Sequence, residues 1–334
     1  MTFQEYIKNG VSTGSLIKSL ADNLPSTIQK KLRFLNNPAV KKDICSTNYD
    51  TGIYTISYPE TQTETKETLS QKVVTPELPD EMMVFSTKHV TVKQPIKFRD
   101  KIIYSNVIIE YVLNRHDVYK QITQCIAEHV VTEYELTAMS ILKAIYGPGG
   151  VLYKTHTVET NKTIDYKTIF EGKARLGNNA DQLVVSTYHN CIMKNLYEKG
   201  MVSDVLVPET NKTRTNSIVA GLTAIETNLM PMIKGVKGKP NKYLSFLMGI
   251  GSIYFFVNQS FGYNNSSIAL EPLAGKDRIL KIVTKTDFCI HVPGVKYILD
   301  NPTPTDIDLA NPKNWKKVGK DKDIKIVALL TPEG

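Results

Sequence analysis

An α+β fold built around one long helix is what this sequence predicts, and three observations carry that expectation. Residues Asp117 to Ile145 form a run of 29 without glycine or proline. Segments rich in β-branched and aromatic residues lie on both sides of it, at 51–112 and 243–292. Between the run and the second of those segments, residues 151–240 alternate helix-like and strand-like stretches. The composition permits a large core: 334 residues, 41% hydrophobic, too apolar for a disordered chain. That length suits two compact domains or one elaborated one.

Residues 1–50 read as an N-terminal arm. Up to Lys42 they carry Lys8, Lys18, Lys30, Lys31, Arg33, Lys41 and Lys42 against Glu5 and Asp22, a local charge of +5. Short helices are expected near 15–22 and 26–35, the second starting after Pro25 and Ser26. The charge has two readings: a solvated leader, or an arm that lies along another subunit or faces nucleic acid. Leu16, Ile17, Leu20, Ile28, Leu32, Phe34 and Leu35 interleave the cations, so docking on protein through these side chains is the expectation.

Residues 51–112 read as extended. "GIYTISY" alternates, and "MMVFSTKHVTVKQPIKF" and "IIYSNVIIEYV" are β-branched and aromatic. The polar tract "PETQTETKETLSQK" between them suggests the tip of a protruding hairpin. A lone hairpin is marginal in water, so it is expected to pack against something, such as another subunit.

The helix of 117–145 has Asp117 as its expected N-cap, and "GPGG" (Gly147 to Gly150) ends it. Ile122, Ile126, Val130, Tyr134, Ile141 and Ile145, bridged by Thr137, predict one apolar stripe. At 1.5 Å per residue the helix would be roughly 43 Å long, which suits a structural spine crossed by a sheet. Further on, "YKTIFEGKARLG" reads as helix, "DQLVVST" as a buried strand and "YHNCIMKNLYEKG" as a helix closed by Gly200. Residues 208–241 are loop-rich. "YLSFLMGIGSIYFFV" (Tyr243 to Val257) reads as core strand or strand-turn-strand, and "DRILKIVTKTDFCIHV" as strand. No fixed-period repeat occurs.

Several function classes lose ground on this reading. The 15 residues of Tyr243–Val257 are the longest apolar run, shorter than a span of about 20, so no membrane is expected. "TFQEYIKNG" after Met1 is neither basic nor apolar enough for a signal peptide. Cys45, Cys125, Cys191 and Cys289 form no CxxC pair, which argues against a zinc site and a disulfide scaffold and for reduced cytosolic thiols. No Walker loop, GxGxxG after a strand, GxSxG or HExxH is present. His129 and Glu133 sit one turn apart on the long helix, where a solvated polar face explains them. His189 and Cys191 lie two apart near a helix start. On a helix such positions diverge, so a cap and packing, not a nucleophile pair, is the expectation. Asp306 after Pro304 and Thr305 is read as an N-cap rather than half of a carboxylate pair with Asp308. No catalytic, cofactor or metal residue is assigned, and no cofactor is expected. The net charge of +8 hints at an anionic partner such as nucleic acid.

The segment "HVPGVKYILDNPTPTDIDLANPKNWKKV…IKIVALL" from His291 holds the only tryptophan, Trp315. It resembles the C-terminal end of major capsid proteins of tailed bacteriophages, those with the Hong Kong 97 fold. That pattern runs roughly "HP-x-G-x-K-W", "NPTNADLA", "NW" and a closing strand. This chain keeps His291, Gly294, Lys296, Asn301, Pro302, Thr303, Leu309, Ala310, Asn314 and Trp315, and departs at Tyr297, Pro304, Ile307 and Asp308. "RHDVYKQITQCIAEHVVTEYELTAMSILKAIYG", "FEGKARLGNNADQLVVSTYHNCIMKNL" and "YLSFLMGIGSIYF" resemble other parts of the family in the same order, over roughly 88–330.

The resemblance implies a Hong Kong 97-like capsid fold with five parts. These are an N-terminal arm at 1–50, an extended β-hairpin loop at 51–112, a peripheral domain at 113–169 with the spine helix 117–145, an axial domain at 170–275, and return strands with the C-terminal segment at 276–334. Trp315 would anchor the turn-rich loop on the sheet. The implied function is assembly: hexamers and pentamers in an icosahedral virion shell enclosing double-stranded DNA, made in the bacterial host cytoplasm. Scaffold, portal and decoration proteins are the expected partners. An encapsulin-like nanocompartment and a cytosolic enzyme with an unrecognised site are the alternatives.

Overall fold

The computed structural model describes residues 13–42, 46–48, 53–60, 88–95, 97–105, 115–209, 212–235, 238–257, 268–272, 280–299 and 304–333. Residues 61–72 of the polar tract expected at the hairpin tip, and Asn301, Pro302 and Thr303, lie outside them. The first third holds α1 (Thr13–Lys31), β1 (Val40–Lys42), β2 (Ser46–Asn48), β3 (Ile53–Glu60), β4 (Lys88–Pro95) and β5 (Lys97–Ser105). Next come α2 (Arg115–Tyr146), β6 (Thr157–Glu159), α3 (Tyr166–Arg175), β7 (Leu183–Tyr188), α4 (Asn190–Glu198), β8 (Val202–Glu209), β9 (Lys212–Val219) and β10 (Leu222–Glu226). The rest is β11 (Met232–Ile233), β12 (Lys242–Gly249), β13 (Ile253–Val257), β14 (Ile268–Pro272), β15 (Leu280–His291), β16 (Val295–Tyr297), α5 (Asp306–Ala310), β17 (Trp315–Lys317) and β18 (Ile326–Pro332).

The largest sheet has the order β6-β18-β12-β7-β10-β9-β8, with β11 on β12. Its centre is buried on both faces, and the period of two sorts its side chains. Leu244, Phe246 and Met248 of β12 and Ile326, Ala328 and Leu330 of β18 join the core that contains α2. Tyr243, Leu247, Val327 and Leu329, from the same strands, join a second core with Ile169 of α3 and Ile192 and Leu196 of α4. Helices on both faces explain why these strands read as continuous apolar runs. Gly172 lets α3 come close: a Cβ there would stand 2.7 Å from Leu329 Cδ2.

A second sheet is built on β15, which pairs β13, β14 and β5 and, through β13, reaches β1. Helix α2 serves both sheets. Its Tyr134 packs on Phe255 and Phe288 of the second, at 5.4 and 4.5 Å between ring centres, and its Tyr146 on Phe246 of the first, at 5.8 Å. The apolar run 243–257 is therefore strand-turn-strand, with its two strands in different sheets. Two smaller sheets are β2-β3-β4 and β16-β17. The first contains an eight-rung antiparallel pair, Ile53↔Pro95 to Glu60↔Lys88.

Three local expectations need correction. The long helix starts at Arg115, so Asp117 lies in its first turn and is not the N-cap. Its burial is wider than one stripe: Ile126, Val130, Tyr134, Thr137, Ile141 and Ile145 are buried, but so are Ala127, Glu135, Ala138, Met139, Leu142 and Tyr146, because two sheets and α1 surround it. In the arm, one helix of 19 residues replaces the two short ones, with Pro25 inside it. A mid-helix proline removes an N–H donor. Here Leu24, Ile28 and Leu32 bury one face of the helix, and the Ser26 and Thr27 hydroxyls donate to the Asn23 carbonyl beside the proline.

Candidate functional site

Over residues 22–42 the basic arm is part of the core rather than a free leader. After α1, Phe34, Leu35 and Ala39 are fully buried. Glu135 of α2, 3% exposed, reaches across to accept hydrogen bonds from the backbone N–H groups of Arg33 and Phe34, both at 2.8 Å. Those groups open a 3-10 turn, Phe34–Asn36, whose first donors have no partner within the turn. Burial pushes the Glu135 carboxyl up, and the hydrogen bonds from 33–35 oppose that rise. A signal for this tie was present in the sequence: Val131, Ala138 and Met139 flank Glu135 at i−4, i+3 and i+4, an apolar setting for a carboxylate. Glu135→Ala should cost about 2–3 kcal/mol, because two donors lose their acceptor. Glu135→Gln, which keeps an acceptor, should cost less. Urea midpoints of the three proteins check this, and equal midpoints for Ala and wild type would refute the tie.

Three of the arm's cations are committed to protein. Lys31 pairs Glu128 at 2.8 Å, Lys42 donates to Asn36 at 2.7 Å, and the Lys41 ammonium lies 6.0 Å from the Tyr254 ring centre. Lys30 and Arg33 are exposed and make no ion pair among the described residues.

The turn-rich C-terminal segment is anchored by Trp315. The indole is 5% exposed, donates to the Leu309 carbonyl at 2.9 Å and meets Tyr297 edge-on at 5.3 Å. Its strand β17 pairs β16, so the anchor sits on a two-stranded ribbon and not on a large sheet. Thr305, rather than Asp306, caps α5. Its hydroxyl accepts from Asp308 N–H, and the Asp308 carboxylate in return accepts from the Thr305 hydroxyl at 2.7 Å and from the Thr305 N–H, two bonds that hold that carboxyl below its usual range. Asn314, nearly buried, donates to the Asp308 carbonyl at 2.9 Å. Gly294 has φ +87°, and a Cβ there would stand 2.6 Å from Ile324 Cγ1. Gly294, Leu309, Asn314 and Trp315 of the motif are thus the fittings of one compact corner.

Chemistry-bearing side chains form one notable pair. His189 Nδ1 lies 3.0 Å from Cys191 Sγ and accepts from Cys191 N–H at 3.2 Å, while Tyr243 stacks on the imidazole at 4.3 Å. The expected divergence of positions 189 and 191 fails because His189 is the extended N-cap, outside the helix, and folds over its first turn. The capping role itself is present. Burial pushes the Cys191 thiol up and the His189 imidazole down, the reverse of an activated nucleophile pair. Glu133 is half-buried and His129 exposed on α2, both engaged in contacts. Among the described residues, no group of three or more His, Cys, Asp or Glu stands where it could hold a metal ion, and no helix is long and apolar enough to cross a membrane.

No family model matches the chain, and no curated protein matches it in sequence. Solved structures do. The holo-SrpI encapsulin complex from Synechococcus elongatus PCC 7942 aligns at 11% identity, covering 83% of this chain and 81% of that one, with a TM-score of 0.45. The cyanophage Pam1 capsid aligns at 9% identity, covering 90% and 92%, with a TM-score of 0.46. The capsid of Ralstonia phage GP4 aligns at 8% identity over 91% of this chain and 92% of that one, with a TM-score of 0.50.

The chain has the Hong Kong 97 capsid fold. In this capsid fold the stretch that resembles the spine helix is α2, the "YHNC" stretch opens α4, and "YLSFLMGIGSIYF" runs from β12 into β13. An identity of 8% speaks for the capsid fold alone.

Proposed function

We propose that this chain is the major capsid protein of a tailed bacteriophage and polymerises into an icosahedral shell around double-stranded DNA. The observation that supports it most is the shared fold with a phage capsid over nine-tenths of both chains. Its work is assembly rather than turnover. Hexamers and pentamers would form through an axial domain at 170–275, with the extended loop of 51–112 overlapping a neighbour. Scaffold and portal proteins would act during assembly in the host cytoplasm. The arm would face DNA through Lys30 and Arg33, which are exposed and make no ion pair among the described residues, and contribute charge neutralisation without reading sequence.

Velocity sedimentation of native material should give a large particle with hexamer or pentamer intermediates, holding nuclease-protected DNA. A stable monomer of 37.5 kDa under every condition, with or without scaffold partners, would overturn the reading. Particles filled with protein and free of DNA would point to a nanocompartment. Lys30→Gln with Arg33→Gln should leave particle yield intact and lower DNA retention, more so at low salt. Unchanged DNA content at both salts would remove the arm from DNA contact.

A further inference from the structure

Strands β9 and β10 fork soon after the turn that joins them. They pair at two positions, Leu222↔Val219 and Thr223↔Ile218. Beyond these β10 keeps only β7, which it follows from Thr223↔Val185 to Glu226↔Tyr188. The next residue, Thr227, donates its N–H to the Tyr188 carbonyl at 3.0 Å. Backbone groups point to alternate edges along a strand, so Ala224 and Glu226 aim their N–H and C=O groups away from β7. No strand occupies that edge of Ala224 and Glu226 among the described residues.

The edge opens on a cleft of about 960 Å³. Asn216 and Ser217 of β9 line it across the fork, and the arm and α2 supply its other walls. Two kinds of side chain come from those walls and from β10. Leu32, Val131 and Ile225 are apolar. Lys30 and Arg33 are exposed and make no ion pair among the described residues, whereas Lys31 is held by Glu128 at 2.8 Å. The one other carboxylate of the lining is Glu226, on the strand, so positive charge leads on the arm side.

We infer that this fork is a docking site for an extended, acidic segment of a partner polypeptide, which adds a strand to β10 and sets its carboxylates against Lys30 and Arg33. In strand addition, main-chain hydrogen bonds hold the guest and the lining selects its side chains. Nucleic acid fits less well. The open edge offers N–H donors and C=O acceptors together, and a phosphate run has no donor to return. Glu128 and Glu226 would also oppose a charge at every nucleotide. A peptide can place acids at the arm and an apolar residue over Leu32 and Val131. The inference rests on the shell reading for its timing alone. Lys30 and Arg33 cannot serve peptide and DNA at once, so the segment would belong to an assembly partner that leaves before DNA enters.

Fluorescence anisotropy on the full, unassembled chain tests it, with a dye-labelled peptide GVEVEVG as the probe. The peptide should bind with a Kd below about 1 mM. Lys30→Glu with Arg33→Glu should keep the wild-type melting curve and weaken binding roughly tenfold or more, and the basic peptide GVKVKVG should bind wild type as weakly. A second pair of probes leaves the protein untouched. Methylating the amide nitrogens along one edge of the peptide should abolish binding, and methylating those along the other edge should not, because only one edge faces β10. No binding of GVEVEVG at about 1 mM, equal binding of the acidic and basic peptides, or tolerance of methylation on both edges would overturn the inference. Single-stranded hexathymidylate binding as tightly as the peptide would overturn it in favour of a DNA site. Shells formed by a chain that ignores the peptide would keep the shell reading and lose this site. A chain that binds the peptide and never assembles would do the reverse.

Discussion

Replacing Trp315 with alanine should cost about 3–5 kcal/mol, the range for truncating a large buried aromatic. The side chain is 5% exposed, and the substitution also strips the Leu309 carbonyl of its indole donor and Tyr297 of its edge-on neighbour. Both losses fall on the corner that joins β16, α5 and β17. Trp315→Phe should recover most of the packing and none of the hydrogen bond, so it should sit between the two, closer to wild type. Trp315 is the only tryptophan, and its emission reports this corner directly. The folded chain should emit in the blue and resist acrylamide. Water-like emission, quenched as freely as free tryptophan, would show that no anchor exists.

Acid should destabilise the chain well above the carboxylate range. His291 on β15 is fully buried, and burial lowers its pKa to about 3. In the unfolded chain it takes up a proton near 6.5. The folded pKa is the depressed one, so its contribution is fully present above pH 6.5 and is lost as pH falls from 6.5 towards 3. Each pH unit in that window costs about 1.4 kcal/mol, or about 2 kcal/mol by pH 5. His156 and His189 are lowered in the same sense by burial and add to the slope. Glu135 acts oppositely: its raised carboxyl contributes stability that is lost as pH rises through its folded pKa. Guanidinium unfolding at pH 7 and pH 5 should show the loss, and His291→Asn should shrink it. Equal losses in variant and wild type would acquit His291.

The elements legible in the sequence were those whose signal is local. An unbroken run without glycine or proline marks α2, and a lone tryptophan among prolines and asparagines marks an anchor. What stayed hidden depends on partners far along the chain. Pro25 reads as a helix start until Leu24, Ile28 and Leu32 are seen packed against α2. The alternation along 243–257 cannot say that β12 and β13 enter different sheets, because both faces of each strand are apolar. The apolar neighbours of Glu135 hint at its burial, but not at its partners, backbone N–H groups 101 and 102 residues away.

The passage of the chain from β12 to β13 sets how a load would travel. The two sheets are joined covalently by the short turn between Gly249 and Ile253, and a link of three residues, four Cα–Cα steps, can extend by no more than about 14 Å. They are joined a second time through α2, whose Tyr134 and Tyr146 grip one sheet each, about 18 Å apart along the axis. A tether and a strut acting together resist both sliding and opening. Pressure applied to one sheet is therefore passed to the other as to a single stiff beam.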